Sequence, residues 1–187
     1  MKRLLLYLGV ILCAVMNLEA QEEVSFGEES TEEESKHQIG FLLGHAHIPS
    51  LYADGKKEWK ALPSFTLYYN YWLNETWAVG LHTDMIIESY EVEKNLASKS
   101  EEDLILERER PLAPALMAVY MPGEHFNYSF GFGGEFAKGE DLFLFRAEIA
   151  YAIEMPKSWE FEVALGTDVR WDAYNTINMA IGISKRL

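Results

Sequence analysis

Three observations predict an all-β chain, an eight-stranded antiparallel up-and-down transmembrane β-barrel. Apolar and polar residues alternate with a period of two through most of residues 37–187, the repeat of pleated strands. One set of alternating positions is large and apolar, and the other is rich in Gly, Ala, Ser and charges of both signs. No stretch after residue 36 is long and apolar enough for a membrane helix, and the most apolar segment, 111–122, is interrupted by Pro114.

Residues 37–47 supply the first strand. In the second, Phe65, Leu67, Tyr69 and Tyr71 alternate with Ser64, Thr66, Tyr68 and Asn70. The third places Trp77, Val79, Leu81, Thr83, Met85 and Ile87 on one face, with Gly80, His82, Asp84 and Glu88 on the other. Residues 112–121 form the fourth. The fifth alternates Phe126, Tyr128, Phe130, Phe132 and Phe136 with Asn127, Ser129, Gly131, Gly133 and Glu135. The sixth sets Phe143, Phe145, Ala147, Ile149, Tyr151 and Ile153 against Leu144, Arg146, Glu148, Ala150 and Ala152. The seventh sets Trp159, Phe161, Val163, Leu165, Thr167, Val169 and Trp171 against Glu160, Glu162, Ala164, Gly166, Asp168 and Arg170. The eighth sets Ile177, Met179, Ile181 and Ile183 against Asn178, Ala180, Gly182 and Ser184.

A soluble sandwich would bury the large face. Here the small face suits a narrow eight-stranded lumen filled by side chains, and the apolar face suits lipid. Buried ions must be paired, so His82, Asp84, Glu135, Arg146, Glu148, Glu162, Asp168 and Arg170 are expected to form a luminal network. Tyr71, Trp77, Tyr151, Trp159 and Trp171 are expected in the interfacial girdles, with Trp72 flanking the same turn as Tyr71. Connections after the second, fourth and sixth strands are short. At the other end lie two long loops, at about 49–60 and 91–106, the second with a helical turn expected at 100–104. Short periplasmic turns with longer outer loops follow if both termini are periplasmic.

The chain carries 30 acids against 16 bases, a net charge of -14, which argues against a nucleic-acid partner. A single cysteine, Cys13, excludes a disulfide framework and a thiolate zinc site. Residues 1–20 read as a signal peptide, with Lys2 and Arg3 before an apolar run and Ala20 at the cleavage site. Leu12 before Cys13 does not fit a lipidation signal. Residues 21–36 hold seven Glu and almost no apolar residues, the composition of a disordered acidic arm acting as a spacer, an interaction tail or an export address. The barrel domain is then 37–187.

Over residues 37–187 the pattern resembles the small eight-stranded outer-membrane barrels of Gram-negative bacteria, the OmpA-barrel and OmpX type. Segments 44–49 and 62–88 also look like uncharacterised outer-membrane proteins of Bacteroidota. The resemblance implies an outer-membrane location, with outer-membrane lipid and lipopolysaccharide as surroundings and an envelope protein as a further partner. Barrels of this type often end in an outward-facing aromatic residue. Leu187 has the outward parity but not the aromatic side chain.

Two pairs could carry chemistry. His82 and Asp84 share the luminal face, and some barrels of this size modify lipid A with a His, a Ser and a carboxylate. No Ser stands in a matching motif here, so a core polar role is the expected one. His45 and His47 could hold zinc or copper in a site that needs more ligands than these two, and rim contact with lipid headgroups is expected. Unbroken parity points both outward, whereas a bulge at Gly44 would turn them inward. The sequence 107–110, Glu-Arg-Glu-Arg, reads as a strand rising above the membrane. Residues 131–134 lack the Lys and helix of a phosphate loop. The sequons at Asn74 and Asn127 are chance matches if the source is bacterial. No cofactor is expected, and the leading function is non-enzymatic and carried by the surface loops. A lipid-modifying barrel enzyme and a soluble lipocalin-like binder are the alternatives.

Overall fold

A computed structural model describes residues 35–51, 57–93, 105–171 and 173–187. The expected signal peptide with Cys13, the acidic residues before 35 and the helical turn expected at 100–104 lie outside the described residues. The strands are β1 (His37–Leu51), β2 (Lys57–Trp72), β3 (Trp77–Ile86), β4 (Tyr90–Glu93), β5 (Ile105–Arg108), β6 (Leu112–Tyr120), β7 (Phe126–Glu135), β8 (Leu142–Met155), β9 (Trp159–Arg170) and β10 (Asn175–Arg186). Eight of them close a barrel in the order β1-β10-β9-β8-β7-β6-β3-β2, every neighbour antiparallel. β4 and β5 pair only with each other.

The register fixes the barrel's shape. Paired residues lead from His47 through Ile177, Thr167, Ala147, Phe130, Ala118, Val79 and Tyr71 back to His37 on β1. One circuit therefore displaces the chain by ten residues, from 47 to 37. With strands ~4.8 Å apart and a rise of ~3.3 Å per residue, that stagger tilts the strands by about 40°. A barrel this narrow has room inside for side chains and none for an aqueous channel.

The alternation resolves into two surfaces. Phe41, Leu43, Leu81, Leu116, Phe130, Phe132, Phe145, Val163, Leu165, Met179 and Ile181 are exposed on the outside, with Leu116 70% exposed. Trp159 opens β9 and Trp171 follows its last residue; both are exposed, about 30 Å apart along the barrel axis. Burying this belt in water-free surroundings is favourable, whereas monomers in water rarely keep large contiguous apolar patches.

Asn74 explains the first short turn, because its Oδ1 accepts the N–H groups of Thr76 at 2.9 Å and Trp77 at 2.8 Å. The β8–β9 turn places Lys157 (φ 66°) and Ser158 (φ 59°) in the left-handed region. The two chain ends of the barrel meet at this same end, where Leu187 N–H donates to His37 O at 2.8 Å.

The other end departs from the sequence expectation in two ways. The first long loop is mostly strand: β1 and β2 stay paired up to Leu51 and Lys57, and buried Ile48 and Leu62 give this extension a core. The second contains the β4–β5 hairpin. Its inward residues Tyr90, Val92 and Leu106 join Ile48, Leu62, Ile86 and Leu142 in one buried apolar cluster over the barrel mouth. The charged stretch 107–110 is therefore not a simple extension of a wall strand: β5 ends at Arg108, which is fully buried, and Arg110 takes a left-handed turn (φ 45°).

Candidate functional site

The lumen holds most of the described residues whose chemistry needs explaining. Because each strand turns alternate residues inward, the register stacks polar groups in layers along the barrel. At the short-turn end, Gln38 Nε2 donates to Glu160 Oε2 at 2.8 Å, and Gln38 Oε1 accepts from Trp72 Nε1 at 3.1 Å. Arg186 Nε donates to Glu160 Oε1 at 3.1 Å, and its guanidinium lies 4.5 Å from the Trp72 ring centre. Trp72, expected in the girdle, is therefore luminal at 4% exposed. One residue of parity separates it from outward Tyr71, and the Gln38 carbonyl gives its N–H a partner.

The next layer joins Tyr68, Glu162, His82, Asn70 and Glu148. Tyr68 OH donates to Glu162, and its ring stacks on His82 with centres 4.9 Å apart. His82 Nε2 lies 2.9 Å from Asn70 Oδ1, and His82 Nδ1 lies 3.8 Å from Glu148 Oε1.

Above it, Arg146 makes a two-point contact with Asp168, at 2.7 and 2.8 Å, and reaches Asp84 at 2.9 Å. Thr66 donates to Asp84 at 2.6 Å and Asn178 at 3.2 Å. Fork geometry of this kind gives charge-assisted bonds their strength and direction.

The uppermost layer centres on Glu135, which is fully buried. Arg170 Nε donates to its Oε2 at 2.5 Å, Arg108 Nε to its Oε1 at 2.7 Å and Tyr174 OH to its Oε1 at 2.7 Å. Arg108 also donates to the Glu140 carbonyl. Tyr174 spends its proton on Glu135, so Tyr90 OH is the donor in the 2.5 Å contact between the two phenols. Burial, then the charge of Glu135, pushes the Tyr90 hydroxyl well above its usual range, and burial does the same for Tyr174, so both stay neutral donors.

Arg108 ties β5 to the barrel wall, and sequence reasoning missed it. Its parity with Leu106 was the available signal, hidden because the hairpin had no visible partner strand. Glu160 and Tyr68 stood on the luminal parity without being singled out.

His82 and Asp84 both point inward, but His82 engages Asn70 and Glu148 while Asp84 engages Arg146, Thr66 and Asn178. At 3% exposure His82 has no open path to a substrate in this conformation. His45 is exposed and His47 half-buried on the outward face, with unbroken pairing to Met179 and Ile177 and no bulge at Gly44. Among the described residues no group of three or more His, Cys, Asp or Glu could hold a metal ion. Tyr71, Trp77, Tyr151, Trp159 and Trp171 all point outward and are exposed.

No protein-family model and no curated protein sequence matches this chain. Solved structures do. The chain is similar to Neisserial surface protein A, with 10% identity, covering 83% of this chain and 100% of that one at a TM-score of 0.51. It is also similar to Ail, the attachment invasion locus protein of Yersinia pestis, with 14% identity, 81% and 99% coverage and a TM-score of 0.49. OprG from Pseudomonas aeruginosa gives 14% identity, 81% and 96% coverage and a TM-score of 0.49. The shared feature is the fold, a closed eight-stranded antiparallel barrel of the outer-membrane type.

Proposed function

We propose that this chain is a small integral outer-membrane protein whose barrel is a membrane-held scaffold and whose activity is binding at its outer surface. The continuous apolar belt on the outside of a side-chain-filled barrel carries this reading. A soluble lipocalin-like binder would place its apolar residues inside. In this reading residues 1–20 are removed as a signal, residues 21–36 form an acidic arm in the periplasm, and both barrel termini face the periplasm. Outer-membrane lipid and lipopolysaccharide surround the belt. Hairpin β1–β2 and the β4–β5 cap form the outer surface that an envelope or extracellular partner would meet.

The luminal ion pairs are structural in this reading: they fill the barrel and hold the cap. The test is to fractionate expressing cells and to label a tag inserted at residues 52–56 on intact cells. Expected are detergent-dependent extraction, a folded band that shifts on boiling, and surface labelling of the tag. Release without detergent would overturn the membrane reading, and labelling only after permeabilisation would overturn the orientation. Lipid A from cells expressing the wild-type chain or the His82→Ala/Asp84→Ala variant is expected to be identical by mass spectrometry. A modification present only with the wild-type chain would instead support an enzyme.

A further inference from the structure

Every described luminal acid but one accepts a hydrogen bond. Arg108 and Arg170 share Glu135, Arg146 holds Asp84 and Asp168, and Arg186 holds Glu160. Glu162 takes the Tyr68 hydroxyl. Glu148 makes no hydrogen bond, and its Oε1 lies 3.8 Å from His82 Nδ1. That separation is too long for a direct bond.

His82 Nδ1 and Arg146 Nη1 are likewise buried without a hydrogen-bond partner. Arg146 stands two residues from Glu148 on the same luminal face of β8, and His82 faces Glu148 from β3. Asn70 fixes the His82 tautomer. Its Nδ2 donates to Gln38 Oε1, which leaves its Oδ1 to accept from His82 Nε2. His82 Nδ1 therefore presents a lone pair.

The three unsatisfied groups are thus two acceptors, Nδ1 and the Glu148 carboxylate, and one donor, Arg146 Nη1. Small residues pack beside them. Gly166 is the direct cross-strand partner of Glu148, and Ala150, Ala164 and Ala180 pack in the adjoining cluster. The Glu148 side chain keeps 18% of its surface accessible although it points into the barrel.

We propose that the lumen at Glu148, His82 and Arg146 is a binding site for one ordered water molecule. Its two protons go to His82 Nδ1 and Glu148 Oε1, and its oxygen accepts from Arg146 Nη1. A water standing off the line between Nδ1 and Oε1 reaches both at ~2.8 Å. Three protein partners are the usual complement of a buried water. An ammonium or metal ion is disfavoured because it would face the Arg146 guanidinium directly. With Asp84 and Asp168 committed to Arg146 above, and Glu162 to Tyr68 below, this water joins the upper and lower halves of the luminal ladder.

The test counts long-lived internal waters by oxygen-17 and deuteron magnetic relaxation dispersion on the full chain refolded in detergent micelles. The wild-type protein is expected to hold at least one more such water than the His82→Phe/Glu148→Leu variant, both showing the heat-shifted band of a closed barrel. Gly166→Val, which fills the space beside Glu148 and removes no polar group, gives a second reading should the double variant fail to fold. It is expected to lose the same water. An unchanged count in the folded variants would overturn the site, as would a crystal structure in which Nδ1 bonds Glu148 directly with no density between them.

Discussion

Replacing Glu135 by Gln tests the luminal network at its most heavily used acceptor. The side chain keeps its shape and loses its charge. Arg108 then has no carboxylate and retains the Glu140 carbonyl. Arg170 still has Asp168 at 3.4 Å and Thr176 Oγ1 at 3.1 Å. Breaking a buried pair by neutralising one partner costs ~3–5 kcal/mol. Only Arg108 loses the one counter-ion shown for it among the described residues, and it is fully buried, so the expected loss is about 4 kcal/mol. Equilibrium urea unfolding in lipid vesicles, followed by tryptophan fluorescence, measures it. In a double-mutant cycle with Arg108→Met the coupling is expected to be about 2 kcal/mol. Hydrogen exchange should rise first in β4 and β5, because this contact anchors the cap. A loss under ~1 kcal/mol, the range of a solvated pair, or uniform exchange across the barrel, would refute the reasoning.

Three further outcomes follow from other parts of the fold. Leu116→Arg puts a charge on the most exposed apolar side chain of β6 and is expected to cost ~2–4 kcal/mol in vesicle unfolding, whereas a soluble barrel would tolerate it. Ser158→Gly relieves a left-handed backbone at φ 59° and should raise stability by about 1 kcal/mol, readable as a higher urea midpoint with an unchanged slope. Leu106→Ala empties part of the apolar cluster over the mouth. It should destabilise the cap by ~2–5 kcal/mol, seen as faster exchange of β4 and β5 amides while β8 and β9 amides keep their protection.

Much of this architecture is written locally. Period-two alternation assigns each wall residue a face, and it placed Arg146, Glu148, Asp168, Arg170 and His82 inside and Phe130, Leu165 and Trp171 outside. Trp72 shows where that signal weakens. A tryptophan beside a turn looks interfacial; its parity against Tyr71 turns it inward, and the partners that accept it there, Gln38 and Arg186, arrive from other strands. Arg108 shows the same limit, since its partner Glu135 lies on β7 and the β5 strand exists by pairing with β4.

The sequence by itself determined the eight wall strands, the two-faced wall and the outward belt, because a pleated strand exposes alternate residues whatever it pairs with. Only the tertiary structure decided which charges meet, how the hairpin caps the mouth, and that Glu148 alone among the described luminal acids makes no hydrogen bond. Those depend on the ten-residue stagger around the barrel, which sets the height at which each inward side chain meets its neighbours. No single strand carries that information, because the stagger is a property of the closed ring.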